Sequence, residues 1–249
     1  MLSKLGISYS PGHPGLLLDV YLPEGACRGT LVFFHGGGLT SGSREGVDVP
    51  NAEQLTGAGF AVVKPDYRMY LDARFPDFVV DAAAAVGWTV RHAAQWQGER
   101  IWVGGSSAGG YLSQMLCFDE RYLAAEGIAS RDIRGWIFDA GQPTVHYSIL
   151  QERGMSPLAL RIDEAAPLYF VGPYAGQAPM LIFAAEHDMP GRLVQNRLLL
   201  DALDNFGYPP KQHRFCFMEG WRHCEYNGHA SYDGEILRFL EETCAAEPV

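Results

Sequence analysis

The chain has 249 residues, 47% of them hydrophobic and 19% charged. That is enough to bury a core, and it suits one large α/β domain over 1–249 better than two small ones. Its net charge of −10 comes with no cluster of Lys and Arg, which argues against a nucleic-acid partner and favours neither anionic membranes nor polyanionic substrates.

The opening "MLSKLGISYSPGHPG" has no apolar core of signal-peptide type, and no stretch reaches the roughly 20 apolar residues of a membrane span. A cytoplasmic location is expected. The five cysteines Cys27, Cys117, Cys216, Cys224 and Cys244 show no metal-hook spacing. They read as reduced thiols, with no metal site.

Short apolar runs rich in β-branched and aromatic residues predict strands at 16–22, 30–34, 60–65, 100–104, 135–140, 179–185 and 211–217. Helical spacing occupies 47–59, 75–96, 107–120, 192–207 and 230–244, with Gly207 as a C-terminal cap. Strands alternating with helices predict a mainly parallel, twisted sheet of about eight strands with helices on both faces. The first strands, close together without helices between them, are expected to form a small antiparallel edge. Residues 141–178 break the alternation and predict a small cap or lid inserted over the C-terminal edge of the sheet. A helix fits part of 156–170 there, cut by Pro157 and Pro167.

The run "IWVGGSSAGGYL" joins a predicted strand to a predicted helix. A G-x-S-x-G pentapeptide at such a junction is a nucleophile elbow. Only Ser107 has glycines on both sides of its frame, Gly105 and Gly109, because Ser106 would need a glycine at Ala108. Ser107 is therefore the candidate nucleophile, at a helix N-terminus that favours a developing anion. The phosphate-binding glycine patterns are absent.

Upstream, His35-Gly36-Gly37-Gly38 follows an early strand. Glycines there let backbone N–H groups turn inward, and the candidate oxyanion donors are Gly36 and Gly37 with Ala108, the residue after the nucleophile. His35 precedes the serine, whereas triads built on such an elbow run Ser, acid, His along the chain. A structural role for His35 is expected.

A weak hydroxyl needs a histidine to take its proton and a carboxylate to orient that histidine. "PMLIFAAEHDMPG" offers Asp188, with Glu186 as the competitor. "HRFCFMEGWRHCEYNGHAS" offers His223, with His229 as the competitor. His187 shares a loop with the acid and lies on its wrong side. His13, His92, His146 and His213 read as surface or strand histidines. Leu39, Tyr70, Phe75, Tyr111, Tyr147 and Trp221 are candidate pocket-lining residues.

The order HGGG, G-x-S-x-G, Asp, His resembles the α/β-hydrolase superfamily. Within it, "FFHGGGLTSGS", "PDYRM", "FPDFVVDAAAAVGW" and "GGSSAGGYLS" look like the hormone-sensitive-lipase-like esterases. They look especially like the compact branch of acetyl- and feruloyl-type carbohydrate esterases and kynurenine formamidases. The resemblance implies Ser107, Asp188 and His223 as a triad, and Gly36, Gly37 and Ala108 as the oxyanion hole. It gives Asp66, Tyr67 and Arg68 a structural role, and puts Ser106 where lipase-like members have Asp. It implies a serine carboxylesterase for small to medium esters, with no cofactor. An arylformamidase or small peptidase with the same triad is the alternative, and a non-catalytic receptor built on the fold is a third reading.

Overall fold

The computed structural model describes residues 1–46 and 50–245. One eight-stranded sheet runs in the order β1-β2-β4-β3-β5-β6-β7-β8. The strands are β1 (Leu2–Ser8), β2 (Leu17–Leu22), β3 (Gly29–Phe34), β4 (Phe60–Pro65), β5 (Ile101–Ser106), β6 (Gly135–Asp139), β7 (Met180–His187) and β8 (His213–Arg222). Pairing is antiparallel for β1 with β2 and β2 with β4, and parallel from β4 to β8. The seven predicted strands are all present, and the antiparallel edge forms as expected.

β1 was not legible in sequence. All its residues but Ile7 are exposed, and Gly6, at φ +66°, sits where the pairing with β2 shifts register. An edge strand with neither an apolar run nor a clean alternation leaves no period to read.

The parallel strands read as continuous apolar runs because both of their faces are covered. In β3, Leu31 and Phe33 join one core cluster while Val32 and Phe34 join the other, as the two-residue period of a strand requires. The helices α2 (Asp77–His92), α3 (Ala108–Phe118), α4 (Glu120–Ala125) and α6 (Arg192–Asn205) pack on the Val32 side. The helices α1 (Ala52–Gly57) and α7 (Ala230–Ala245) pack on the Leu31 side. The predicted helix at 47–59 is realised as α1, and its residues 47–49 lie outside the described residues. Asp119 ends α3 in extended conformation and caps α4 by accepting from Arg121 N, so the helix predicted over 107–120 is α3, and α4 follows it without having been predicted. Gly207 closes α6 as predicted: at φ +80° its N–H reaches Asp204 O, and Tyr208 N–H reaches Leu203 O.

The 141–178 segment corrects one expectation. No helix forms within 156–166, and only a 3₁₀ turn, Pro167–Phe170, follows. The helix of the insertion is the earlier α5 (Tyr147–Glu152), whose His146 accepts from Ser148 N at its start. Proline at 157 and 167 denies a continuous helix its backbone donors. Among the described residues, no helix is long and apolar enough to cross a membrane.

Candidate active site

The end of β5 meets the start of α3 at Ser107, which holds φ 54° and ψ −107°. An L-residue keeps such a conformation only when its surroundings over-determine it. The flanking glycines supply that constraint. A Cβ on Gly105 would collide with the Gly109 backbone, and one on Gly109 would collide with Phe34 O at the end of β3. The pentapeptide is thus a packing requirement between β3, β5 and α3 as well as a motif.

Ser107 meets the two other predicted residues. His223 Nε2 lies 2.8 Å from Ser107 Oγ, and His223 Nδ1 lies 2.5 Å from Asp188 Oδ1. The Asp188 side chain is 1% exposed and that of His223 22%. Asp188 is held in turn by Met189 N–H at 2.7 Å on Oδ1. The competitors go elsewhere. Glu186 accepts from Gly220 N–H, His187 is solvent-exposed, and His229 pairs with Ser231 at the head of α7. His213 bonds Asp204, and His92 bonds the Trp88 carbonyl. His146 departs from expectation: it is fully buried, and burial holds its imidazole well below the ordinary histidine range.

The HGGG loop follows β3. Gly37 and Gly38 take φ +108° and +66°, and a Cβ on Gly37 would collide with Ser41 O, while one on Gly38 would collide with Tyr147 Oη. The N–H groups of Gly36, Gly37 and Ala108 make no hydrogen bond among the described residues. His35 is buried, stacks on Tyr67 at 4.3 Å and approaches Gly36 O through Nδ1. Tyr67 Oη–H donates to His35 O at 2.9 Å. Its neighbours tie outward, Asp66 to Arg44 and Arg68 to Asp81. From below, Ser148 Oγ–H donates to Gly38 O at 2.5 Å, so α5 of the insertion is fastened to this loop.

Gly37→Ala is expected to lower kcat by about 10²–10³-fold, the usual cost of a lost oxyanion donor, because the Cβ forces the peptide off its present course. Steady-state ester hydrolysis alongside a melting curve checks this, with Tm falling as well because the clash is with backbone.

The six residues expected to line a pocket lie in different surroundings. Tyr147 packs on Gly38, and Leu39 is buried in the same loop. Tyr111 is buried with its hydroxyl on Ala165 O, and Tyr70 donates to Glu152. Phe75 packs with α2. Trp221 belongs to the opposite face, beside His229 and α7.

Sequence reasoning missed a polar layer beneath these residues. Arg192, fully buried, donates to Ala140 O and to Gln142 Oε1 and holds the start of the insertion. Asp139 ends β6 inside a ring of hydroxyls. Its one sequence signal was an acid closing an apolar run, "GWIFDA". Burial raises its carboxyl above the usual range, opposed by hydrogen bonds from Tyr226 and Tyr232.

The strand order and the strand–turn–helix that carries Ser107 define the α/β-hydrolase fold. Residues 18–129 match the BD-FAE family model. Esterase LipI of Mycobacterium tuberculosis is 33% identical over 183 residues, 68% of this chain and 54% of its own length. Carboxylic ester hydrolase LipN of the same organism is 39% identical over 101 residues, 39% of this chain and 27% of its own length. The chain thus spans about half or less of these relatives. Among solved structures, Thermogutta terrifontis esterase 2, phosphoramylated by tabun, superposes with a TM-score of 0.80 at 24% identity, covering 98% of this chain and 97% of that one. The chain has the α/β-hydrolase fold and is similar in sequence to these esterases over the segments matched.

Proposed function

We propose that the protein is a serine carboxylesterase acting on small to medium esters, with Ser107 as nucleophile, His223 as general base and acid, and Asp188 as the orienting carboxylate. The observation that carries this reading is the unbroken line Asp188–His223–Ser107, at 2.5 and 2.8 Å. It starts from a buried carboxylate and ends on a strained serine at a helix N-terminus.

In this reading, neutral His223 carries its proton on Nδ1, toward Asp188, and accepts at Nε2. Ser107 Oγ attacks the ester carbonyl carbon as its proton passes to Nε2. The oxyanion is held by the N–H groups of Gly36, Gly37 and Ala108. The tetrahedral intermediate collapses, the C–O bond breaks, and the alcohol leaves with the proton from His223. An acyl-enzyme on Ser107 remains. Water attacks it with His223 again as base, releasing the acid and restoring the hydroxyl. No cofactor or metal enters the scheme.

Acetylated or feruloylated sugars are the substrate class implied by the resemblance of the HGGG, PDYR and elbow segments to compact carbohydrate esterases. The covalent organophosphorus adduct of the Thermogutta esterase supports a nucleophilic mechanism in a protein of this fold. The five cysteines, none in a disulfide among the described residues, fit a reducing compartment, in keeping with a cytoplasmic enzyme of one domain. An arylformamidase or small peptidase would use the same residues, so matched ester and anilide substrates distinguish the readings.

The test is labelling of the wild-type chain by a fluorophosphonate, together with an ester panel graded by acyl length. Stoichiometric labelling at Ser107 and faster turnover of acetyl than of long-chain esters are expected. A chain that neither labels nor turns over any ester overturns the proposal.

A further inference from the structure

Beneath the candidate triad lies a second cluster that the proposed reaction does not touch. Asp139 ends β6, the strand between the one that leads to Ser107 and the one that leads to Asp188. It is fully buried, so its carboxyl needs internal partners. It has two, both hydroxyls. Tyr226 Oη–H donates to Oδ1 at 2.5 Å and Tyr232 Oη–H donates to Oδ2 at 3.0 Å.

Ser106 extends the cluster. Its Oγ accepts from Asn227 Nδ2 at 2.9 Å and lies 3.3 Å from Cys224 Sγ. Cys224, Tyr226 and Asn227 all belong to the turn that begins at His223. That turn is therefore fastened to the ends of β5 and β6 through one carboxyl and one hydroxyl. Asp139 also acts on the nucleophile, because its backbone carbonyl accepts from Ser107 N–H at 2.7 Å.

We propose that Asp139 is a positioning residue that sets two partners of the reaction at once. Its side chain, through Tyr226, holds the turn that presents His223. Its carbonyl holds the peptide of Ser107. The inference rests on the serine-hydrolase reading above.

A carboxyl suits the place because it accepts at two oxygens. An amide has one acceptor oxygen and turns an NH₂ toward a hydroxyl that needs an acceptor. Asp139→Asn therefore keeps the volume and breaks the pattern. The two tyrosines separate positioning from mere packing. Tyr232 belongs to α7, whereas Tyr226 belongs to the His223 turn.

The experiment measures kcat per active site, titrated by the p-nitrophenyl acetate burst, for wild type, Asp139→Asn, Tyr226→Phe and Tyr232→Phe. Misplacing a catalytic group by about 1 Å costs up to ~10²-fold, so Asp139→Asn and Tyr226→Phe are expected to lose roughly tenfold or more in kcat with KM within about twofold. Their fluorophosphonate labelling rates fall in step. Tyr232→Phe is expected to lose several-fold less than Tyr226→Phe.

A structural role alone lowers Tm and yield while leaving kcat per titrated site at the wild-type value, and that result overturns the proposal. Equal kcat losses in the two tyrosine variants overturn it as well. Should Asp139→Asn fail to fold, Tyr226→Phe reads the same tie: a kcat loss larger than that of Tyr232→Phe supports the proposal and a wild-type kcat overturns it. Wild-type chain that resists fluorophosphonate sinks the hydrolase reading instead. Wild type and variants that label equally fast sink only the role of Asp139.

Discussion

Ser107→Ala is expected to lower kcat by about six orders of magnitude while leaving KM nearly unchanged, because it removes the covalent route and leaves substrate binding intact. What remains is the rate that an oxyanion site and a bound substrate give an attacking water. The same position also tests the elbow. Ser107 sits at φ 54°, ψ −107°, a conformation that costs an L-residue about 1–3 kcal/mol, and alanine inherits that cost. Ser107→Gly is equally inactive but escapes the clash of its Cβ. It is expected to melt a few degrees above Ser107→Ala, since about 1 kcal/mol moves Tm by roughly 2–4 °C in a chain of this size. Steady-state kinetics at high enzyme concentration and calorimetry on the three proteins read both effects. Retention of more than a thousandth of wild-type kcat in Ser107→Ala would remove the serine from the chemistry.

The elements legible in the sequence were those whose signal is local. Strands buried on both faces announce themselves as apolar runs, and Leu31 to Phe34 is one such run with its alternate residues in separate cores. The elbow was legible because its glycines answer a steric demand within a few residues, Gly105 against Gly109. β1 carries no such signal because its exposed face asks for no apolar residue. The insertion misled for a related reason. Residues 156–170 contain helix-forming residues, but the helix forms at 147–152, where Ser148 bonds Gly38 O across 110 residues of chain. His146, Arg192 and Asp139 were missed alike, because their partners come from distant segments. Asp139 finds Tyr226 and Tyr232 some 87 and 93 positions away. Side chains that chemistry uses leave motifs, whereas those that hold them leave only a polar residue in an apolar run.

Asp188→Asn is expected to lower kcat by about 10⁴-fold with the fold intact, and Glu186→Gln to leave it within about twofold. The contrast follows from what each carboxylate touches. Asp188 Oδ1 lies 2.5 Å from His223 Nδ1 and is shielded from water, its side chain being 1% exposed. In the proposed reaction it selects the tautomer that protonates Nδ1 and frees Nε2 to accept from Ser107. An asparagine at 188 can turn its NH₂ toward the ring, and Nδ1 then becomes the acceptor. The proton moves to Nε2, and the base points a donor at the hydroxyl it should deprotonate. The imidazolium that forms during attack also loses its counter-charge at close range, where little water screens the pair. Glu186, two residues earlier, is 41% exposed and spends its carboxylate on Gly220 N–H. Its loss trades one solvent-exposed hydrogen bond for a weaker one. Because Asn preserves the size of the side chain, the two variants should melt within a few degrees of each other. Their kcat values should then differ by several thousandfold, and comparable activity in both would return the acid's role to an open choice between the two carboxylates.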